Sequence, residues 1–106
     1  MSNLGRRGEV WFAEIKGKRR PVLIVSGHDV VVELDRVIAN ITSQQPRNKY
    51  DVVLEYWKEA GLDKPSVVRC SKINTIHYRE LLFKIGNIHE HDLKRVMETI
   101  RNYFSY

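Results

Sequence analysis

Basic side chains are concentrated in four short stretches of this 106-residue sequence. These stretches are Arg6–Arg7, Lys16–Arg20, Arg47 with Lys49, and Arg69 with Lys72. Guanidinium and ammonium groups bind phosphate, and a guanidinium can donate two parallel hydrogen bonds to it. With 18 Lys and Arg against 13 Asp and Glu, the formal charge is +5, which favours a polyanionic partner because neutralised phosphates release counterions. We therefore predict a phosphate-binding stripe on the protein surface.

Arg20 stands where a loop is predicted to become a strand. Pro21 follows it and opens the apolar run that ends at Val25. A proline cannot donate a ladder hydrogen bond, so it belongs at the first position of a strand or on an edge. The residue before a proline is restricted to extended backbone. We predict that Arg20 is held extended at the mouth of a strand.

Short runs of β-forming residues, separated by turn residues, predict the strands. The predicted strands are Gly8–Ile15, Arg20–Ser26, Arg36–Gln44, Tyr50–Leu54, Pro65–Cys70 and Leu81–Ile88. The connecting segments are a turn at Lys16–Lys18, a loop at Gly27–Asp29, a turn at Gln45–Asn48 and one helical turn over Tyr56–Ala60. Val30–Leu34 fits either a short extended piece or part of a loop.

The period of the apolar residues changes near the C-terminus. An α-helix is predicted because one helical face would collect the residues Leu93, Val96, Met97, Ile100 and Phe104. Acidic residues in the first turn and Arg101 in the last suit the helix dipole. Strands followed by one helix, without a βαβ rhythm, predict a mainly β fold, a small antiparallel barrel with a C-terminal α-helix. The length predicts a single domain over residues 1–106.

The sequence also favours a cytoplasmic protein. Its single cysteine, Cys70, cannot form an internal disulfide and suits a reducing compartment. No apolar run approaches the roughly 20 residues that span a bilayer. Arg6–Arg7 is not followed by a hydrophobic region, so we expect no secretory signal and no membrane association.

Five strings of the sequence, in order from residue 7 to about residue 100, resemble the MazF/PemK family of bacterial toxins. They are Arg7–Trp11, Arg19–Ser26, Ile41–Gln44, Ser66–Cys70 with Thr75–Ile76, and Ile85–Ile88. The resemblance implies an SH3-like barrel, a homodimer, and a sequence-specific endoribonuclease that cuts single-stranded RNA without a metal or other cofactor. It also implies a cognate antitoxin whose acidic, disordered segment occupies the RNA groove.

The resemblance assigns catalysis to Arg20 and Thr42, and it makes Arg69 a second phosphate clamp. The other expected RNA contacts are Lys16, Lys18, Arg19, Ser43, Gln44 and Ser71. Strand alternation predicts that Thr42 and Gln44 share one face of their strand and that Ser43 points to the other.

Metal-free RNA cleavage uses the 2′-hydroxyl of the RNA as nucleophile and leaves a 2′,3′-cyclic phosphate and a 5′-hydroxyl. An arginine stays protonated, so Arg20 suits charge stabilisation better than proton abstraction. A threonine hydroxyl can donate to a developing oxyanion while it remains neutral. The chain departs from the PemK branch at two places: Ser71 replaces an aspartate, and the short loop Lys16–Arg19 lacks a histidine. The general base and the sequence preference are therefore left unassigned.

Several other residues receive structural interpretations. Cys70 is predicted to be a small buried hydrophobe, and Trp11 to pack in the core or an interface. His89–His91 lies at a helix start without a second ligand cluster, so no metal site is predicted. Trp57 is a candidate for base stacking. The aromatic residues Tyr103, Phe104 and Tyr106 are predicted to seal the helix onto the barrel or a dimer interface.

Two other functions fit the same fold. One is a catalytically impaired barrel that binds RNA without cutting it, given the departures at Ser71 and in the first loop. The other is a gyrase poison similar to the CcdB toxins, which rests on fold similarity alone.

Overall fold

The computed structural model describes residues 5–27 and 34–105. Its elements are β1 (Glu9–Ile15), β2 (Lys18–Ile24), β3 (Asp35–Thr42), β4 (Asp51–Val53), β5 (Val67–His77), a 3₁₀ turn (Tyr78–Glu80), β6 (Leu81–Asn87) and α1 (Glu90–Tyr103). The strands form one antiparallel sheet in the order β4-β5-β3-β2-β1-β6. The predicted mainly β fold with a C-terminal helix is confirmed. No helix among these residues is long and apolar enough to cross a membrane.

The hairpin between β1 and β2 follows from local sequence. Ile15 pairs with Lys18, which leaves a two-residue loop of Lys16 and Gly17. Their φ angles are 51° and 79°, and two-residue hairpin loops of this kind need positive φ at both positions. The predicted turn is confirmed. Because the pairing with β1 continues to this turn, β2 begins at Lys18 and already includes Arg20.

Alternate residues of the strands bury two faces of the sheet. Val10, Leu23 and Ala39 belong to a cluster that also contains Val96 of α1. The residues next to them along each strand pack in a second cluster on the other face, which includes the buried Trp11. Trp11 is therefore a core residue, as predicted.

The predicted apolar face of α1 is confirmed for most of its length. Val96 is fully buried, and Leu93, Met97 and Ile100 pack against the same cluster. The prediction was wrong for Phe104, which caps the helix and is 65% exposed. It lies one residue beyond the last turn of α1, where the helical period no longer directs the side chain inward. Tyr106 lies outside the described residues.

Asp92 fixes the start of α1 to the segment after β4. Its carboxylate is fully buried and accepts hydrogen bonds from the backbone N–H groups of Glu55 and Tyr56, at 3.2 and 2.9 Å. The guanidinium of Arg95 donates a third bond at 3.0 Å. A buried carboxylate that accepts three hydrogen bonds therefore links the helix to the segment after β4.

The turn after β4 reaches the opposite end of the strand order and lies against β6. A Cβ on Gly86 would stand 2.6 Å from the carbonyl oxygen of Ala60, so the two backbones touch. Gly61, at φ 88°, allows the turn. In the part of the chain that the structure describes, no backbone hydrogen bond joins β4 or this turn to β6. The sheet is thus not closed by strand pairing, and its two ends meet by contact.

β5 is longer than the predicted strand, which ended at Cys70. It continues to His77 and pairs with β4 and β3 in turn. Between Ala39 and Asn40 the β3 partner changes from Ile73 to Arg69, so residues 70–72 form an irregularity in the ladder. Because of this irregularity and the exposed polar residues beyond it, the alternating apolar pattern stops near Cys70, and the second half of β5 was not predicted. Val30–Leu34, left open above, lies mostly outside the described residues.

Candidate active site

Arg20 of β2 and Thr42, the last residue of β3, belong to two neighbouring antiparallel strands. The β2–β3 ladder pairs Ile24 with Ile38 and Val22 with Asn40 and ends there. Arg20 and Thr42 each lie two residues beyond that last pair, on neighbouring strands. Two residues 22 positions apart in sequence are thereby placed on neighbouring strands.

Both side chains line one cavity of about 640 Å³, named here the Arg20–Thr42 cavity. Its walls are Phe12 of β1, Arg19–Pro21 of β2, Ile41–Ser43 at the end of β3, Gly61–Lys64 with Ser66 after β4, and Phe83–Ile85 of β6. The volume is within the roughly 300–1,000 Å³ typical of small-ligand sites. The contact of the β4 turn with β6 supplies the far wall of the cavity.

Arg20 has an exposed guanidinium, and no described residue competes with a ligand for it. Within residues 5–27 and 34–105 its side chain makes no hydrogen bond and no ion pair. An exposed arginine on a strand commonly forms a surface ion pair, and Arg20 forms none with the described residues. The five N–H donors of the guanidinium are therefore available to an anion.

The hydroxyl of Thr42 is oriented by the backbone that follows it. Its Oγ1 accepts a hydrogen bond from the N–H of Gln44 at 3.2 Å. Since the oxygen is the acceptor in that bond, the hydroxyl hydrogen is free to be donated elsewhere. The side chain is also β-branched, which restricts its χ1 rotation. Thr42 thus has a neutral donor at the edge of the cavity that contains Arg20.

A second concavity of about 340 Å³ begins on the other side of Arg20 and is named here the lysine groove. Its polar lining consists of Lys16, Lys18, Arg20, Asn40, Arg69, Lys72 and Asn74. The described residues that line it include no Asp or Glu. Arg20 borders both concavities, so a polyanion crossing from one to the other must pass its guanidinium.

Arg69 lines the lysine groove and lies beside a buried carboxylate, at ion-pair distance but not hydrogen-bonded to it. It is the ladder partner of Asn40 on β3 and of Asp51 on β4. Its Nε lies 3.6 Å from Oδ1 of Asp51, whose side chain is fully buried, while Arg69 is 17% exposed. Asp51 also accepts a hydrogen bond from the backbone N–H of Arg47 at 2.8 Å. This pairing could not be predicted from the sequence, because it depends on the registers of β3, β4 and β5.

Residues 6–104 match the family described as PemK-like, MazF-like toxin of type II toxin–antitoxin systems. The chain belongs to this family. The family inferred from the five sequence strings is therefore confirmed. No curated protein sequence matches the chain significantly.

Solved structures share the fold over nearly the whole chain. The Mycobacterium tuberculosis toxin MazF-mt6 is 29% identical, with a TM-score of 0.80 over 91% of this chain and 95% of that one. An endoribonuclease from a mycobacterial species is 19% identical, with a TM-score of 0.83 over 96% and 92% of the two chains. A mycobacterial endoribonuclease in complex with its cognate antitoxin is 18% identical, with a TM-score of 0.80 over 95% and 97%. The likeness to the last two concerns the fold.

The structure brings most of the predicted site residues of this toxin-family chain to the two concavities. Arg20, Thr42, Arg19 and Ser43 line the Arg20–Thr42 cavity. The lysine groove contains Lys16, Lys18 and Arg69, and again Arg20. The other basic stretches lie apart from both, since Arg7 donates to the carbonyl of Val25 and Arg47 to the side chain of Gln44. The predicted stripe is thus confined to Lys16–Arg20 and Arg69 with Lys72.

Gln44 and Ser71 line neither concavity. The predicted face shared by Thr42 and Gln44 was wrong, because β3 ends at Thr42 and the alternation of the strand stops there. Ser43, predicted to face away, lines the cavity beside Thr42. Ser71 falls within the irregular part of β5.

Phe83 and Asp63 also line the Arg20–Thr42 cavity, although no sequence pattern singled them out. Both are distant from Arg20 in sequence. Phe83 is brought near it by strand pairing, since Phe12 pairs with Phe83 of β6 and with Pro21 of β2. Asp63 reaches the cavity because the turn after β4 meets β6. In the sequence, an aromatic residue next to a lysine, Lys84, in a predicted strand was the one available signal, and the structure shows that Phe83 is 53% exposed.

Cys70 is buried and free of disulfide bonding, as predicted. Burial raises the pKa of its thiol from 9.0 to about 12, and the carboxylate of Asp51 contributes in the same direction. The neutral thiol is therefore the stable form, and it packs as a small hydrophobic side chain.

Glu55, His91 and Asp92 place one ligand-type atom each within 4.8 Å of one another. The oxygens of Asp92 already accept the three hydrogen bonds described above. His91 contacts Glu55, and the Arg95 guanidinium lies 3.8 Å from the same carboxylate. A cation here would compete with Arg95, so the geometry fits an ion-pair network that anchors the helix. These residues are not among those lining the Arg20–Thr42 cavity.

Proposed function

We propose that this single-domain toxin is a sequence-specific, metal-independent endoribonuclease that cleaves single-stranded RNA. The observation that carries the proposal is the shared cavity of Arg20 and Thr42, in which the guanidinium has no partner among the described residues. The two mycobacterial endoribonucleases of the same fold support it. The lysine groove beside the cavity supplies the cationic surface that an RNA backbone needs.

In this mechanism the 2′-oxygen of a ribose attacks the adjacent phosphorus. The bond from phosphorus to the 5′-oxygen breaks, the 2′-hydroxyl loses its proton, and the departing 5′-oxygen gains one. The products are a 2′,3′-cyclic phosphate and a 5′-hydroxyl. Negative charge accumulates on the non-bridging oxygens in the transition state, and stabilising it is the main task of the protein.

Arg20 performs this task by donating two parallel hydrogen bonds to the non-bridging oxygens. Its exposed position on the rim lets a phosphodiester approach, and its strand backbone fixes the origin of the side chain. Because the guanidinium stays protonated, Arg20 supplies charge and does not abstract the proton.

Thr42 donates its hydroxyl hydrogen to the same phosphoryl group. The hydrogen bond from the N–H of Gln44 holds the oxygen in place and leaves the hydrogen free. A neutral donor is suited to this position because it adds stabilisation without competing with Arg20 for the anion. Arg69, Lys16, Lys18 and Arg19 bind the neighbouring phosphates, and Ser43, Gln44 and Ser71 remain candidate RNA contacts.

The proposed partners follow from the same surface. The mycobacterial endoribonuclease bound to its cognate antitoxin supports an antitoxin for this chain, with an acidic, disordered segment suited to the lysine groove. We also propose a homodimer that works in the cytoplasm. Size measurement of the purified protein, alone and mixed with its antitoxin, tests both assemblies.

The decisive experiment incubates purified protein with single-stranded RNA in excess chelator. Wild type should cut, whereas Arg20→Ala and Thr42→Ala should be strongly impaired. Arg101→Ala is the matched control, because Arg101 is an exposed cation in the last turn of α1 and lines neither concavity. End analysis should find 2′,3′-cyclic phosphate and 5′-hydroxyl groups. Equal cutting by all four proteins would contradict the assignment of the site.

A second candidate function is RNA binding without cleavage. The observation that favours it is Ser71, which provides no carboxylate at a position where the PemK branch has one. Salt-dependent binding of single-stranded RNA, with no product at any chelator or metal concentration, would favour this alternative over the endoribonuclease.

A further inference from the structure

Phe83 is an exposed aromatic ring at the wall of the Arg20–Thr42 cavity. Its side chain is 53% exposed although it belongs to a regular strand, β6. The ring rests on Phe12 of the neighbouring β1, with centroids 5.2 Å apart and planes inclined by 36°. Phe12 also lines the cavity, so Phe83 is supported from below and open on the side of the cavity.

An open aromatic face beside a phosphate-binding arginine suits one kind of ligand group. Unpaired nucleobases stack on aromatic side chains, and each base lies within a few bonds of a backbone phosphate. The cavity contains Arg20 and Thr42 at one wall and Phe83 at another. A nucleotide whose phosphate contacts Arg20 can therefore place its base against Phe83.

Asp63 gives this part of the cavity a second feature. It is exposed in the turn after β4 and is the single acidic residue among the described lining residues. Within residues 5–27 and 34–105 its carboxylate makes no hydrogen bond or ion pair, although Lys64 and Lys84 line the same cavity. A carboxylate repels the RNA backbone, and it is favourable only opposite a donor group such as a base amino group.

We propose that Phe83 and Asp63 form a subsite for one unpaired nucleobase next to the scissile phosphate. This inference rests on the proposed ribonuclease function and adds residues that determine its sequence preference. Phe83 stacks on the base, and Asp63 accepts a hydrogen bond from its exocyclic amine. Adenine, cytosine and guanine carry such an amine. Uracil presents carbonyl oxygens on both sides of its N3–H, and these repel the carboxylate.

The first test measures binding of a single-stranded oligonucleotide that carries the cleavage sequence of the protein and a 2′-O-methyl group at the scissile ribose. Phe83→Ala should weaken binding about 5- to 150-fold, the range for loss of one stacked base. Phe83→Tyr should retain affinity. The matched control is Leu82→Ala, since Leu82 is the preceding residue of β6, is 39% exposed and does not line the cavity.

A substrate with one abasic position separates stacking from a general structural effect. Removing the base that occupies the subsite should weaken binding by wild type and cause no further loss in Phe83→Ala. Removing other bases should weaken both proteins equally. If the loss from Phe83→Ala and the loss from removing a base added up at every base position, the proposal would be overturned. It would also be overturned if Phe83→Ala changed the oligomeric mass or the affinity for the antitoxin and left the affinity for RNA unaltered.

The second test substitutes each of the four bases at that position and compares wild type with Asp63→Asn. Wild type should discriminate against uracil, and the amide variant should lose most of this discrimination with little change for the favoured base. Identical base preference in both proteins overturns the role of Asp63. If wild type neither binds nor cuts RNA, the ribonuclease function itself fails. If wild type cuts and Phe83→Ala is indistinguishable from it, only the base subsite fails.

Discussion

Arg20 of β2 and Thr42 of β3 each lie two residues beyond the Val22–Asn40 pair, the last pair of the ladder between these strands. Both line the same cavity. Within the described residues the Arg20 guanidinium forms no ion pair, and the Thr42 hydroxyl hydrogen is free to be donated. Both residues belong to strands of one sheet, which is more rigid than a loop. A site built in this way can hold a phosphoryl group between a charged donor and a neutral one with little reorganisation.

We predict that Arg20→Lys does not rescue cleavage, although it keeps the positive charge. An ammonium is a point charge and lacks the planar fork that binds two phosphoryl oxygens at once. The cleavage rate should fall by about 10²–10³, as for loss of one oxyanion donor elsewhere. Single-turnover kinetics measure it, and the melting temperature should be unchanged because Arg20 is exposed. If Arg20→Lys cleaved RNA at the wild-type rate, positive charge alone would be sufficient at this position and the prediction would be wrong.

We predict that Thr42→Val abolishes most cleavage and that Thr42→Ser retains it. Valine preserves the branched shape and removes the hydroxyl, whereas serine keeps the donor and the hydrogen bond from the N–H of Gln44. The valine variant should bind an uncleavable RNA as wild type does, because the hydroxyl acts mainly in the transition state. Parallel measurement of rate and affinity checks this. A loss of affinity equal to the loss of rate would assign Thr42 to binding.

We predict that the lysine groove sets the salt dependence of RNA binding. Each phosphate contact to single-stranded nucleic acid contributes about −0.7 to the slope of log K against log salt. Lys18→Ala should therefore make the slope shallower by about 0.7 and weaken all RNA sequences alike. Lys94→Ala, on the exposed side of α1, is the control and should leave the slope unchanged. Equal slopes for both variants would place the RNA backbone elsewhere.

Local features of the site could be predicted from the sequence, and long-range ones could not. Lys16–Gly17 specifies its own turn, and Pro21 specifies the extended backbone of Arg20, because both effects act between neighbouring residues. The pairing of Asp51 with Arg69 requires the register of β4 on β5. β5, the strand of Arg69, is irregular at residues 70–72, directly after the predicted end of the strand at Cys70.

The same limit explains which parts of the site were missed. Asp63 enters the cavity because Gly61 and Gly86 let two backbones touch, and Phe83 enters it because β6 pairs with β1. Asp92 fits the acidic first turn of a helix, but its contacts with residues 55 and 56 depend on where the helix docks. Composition and periodicity predict which face of a single helix or strand is buried. They do not predict how the two ends of this sheet meet, because that depends on contacts between elements.

We predict that Asp51 is essential for stability, with Arg69 as the reason. Asp51→Ala leaves a guanidinium that is only 17% exposed without its carboxylate, and breaking a buried pair costs about 3–5 kcal/mol of unfolding free energy. The double variant Asp51→Ala with Arg69→Met should be less destabilised than the single one, because no charge remains unpaired. Chemical denaturation gives both values. If the destabilisation of the double variant equalled the sum of those of Asp51→Ala and Arg69→Met alone, the two residues would not interact.

We predict that Cys70 is unreactive in the folded protein and that its burial makes stability sensitive to alkaline pH. At pH 8, alkylation of the native thiol should be far slower than in the guanidinium-unfolded chain, because the thiolate is the reactive form and the folded pKa is about 12. The folded state binds the proton more tightly than the unfolded state, whose pKa is 9.0. Its contribution to stability is therefore complete below pH 9 and is lost as pH rises towards 12.

Comparison with Cys70→Ala isolates this contribution from other groups that titrate at alkaline pH. The unfolding free energy of wild type relative to the variant should decrease between pH 8 and pH 11, since only wild type has the buried thiol. Denaturant titrations of both proteins at matched ionic strength measure the difference. A constant difference across this range, or native alkylation as fast as that of the unfolded chain, would mean that the thiol is accessible to solvent.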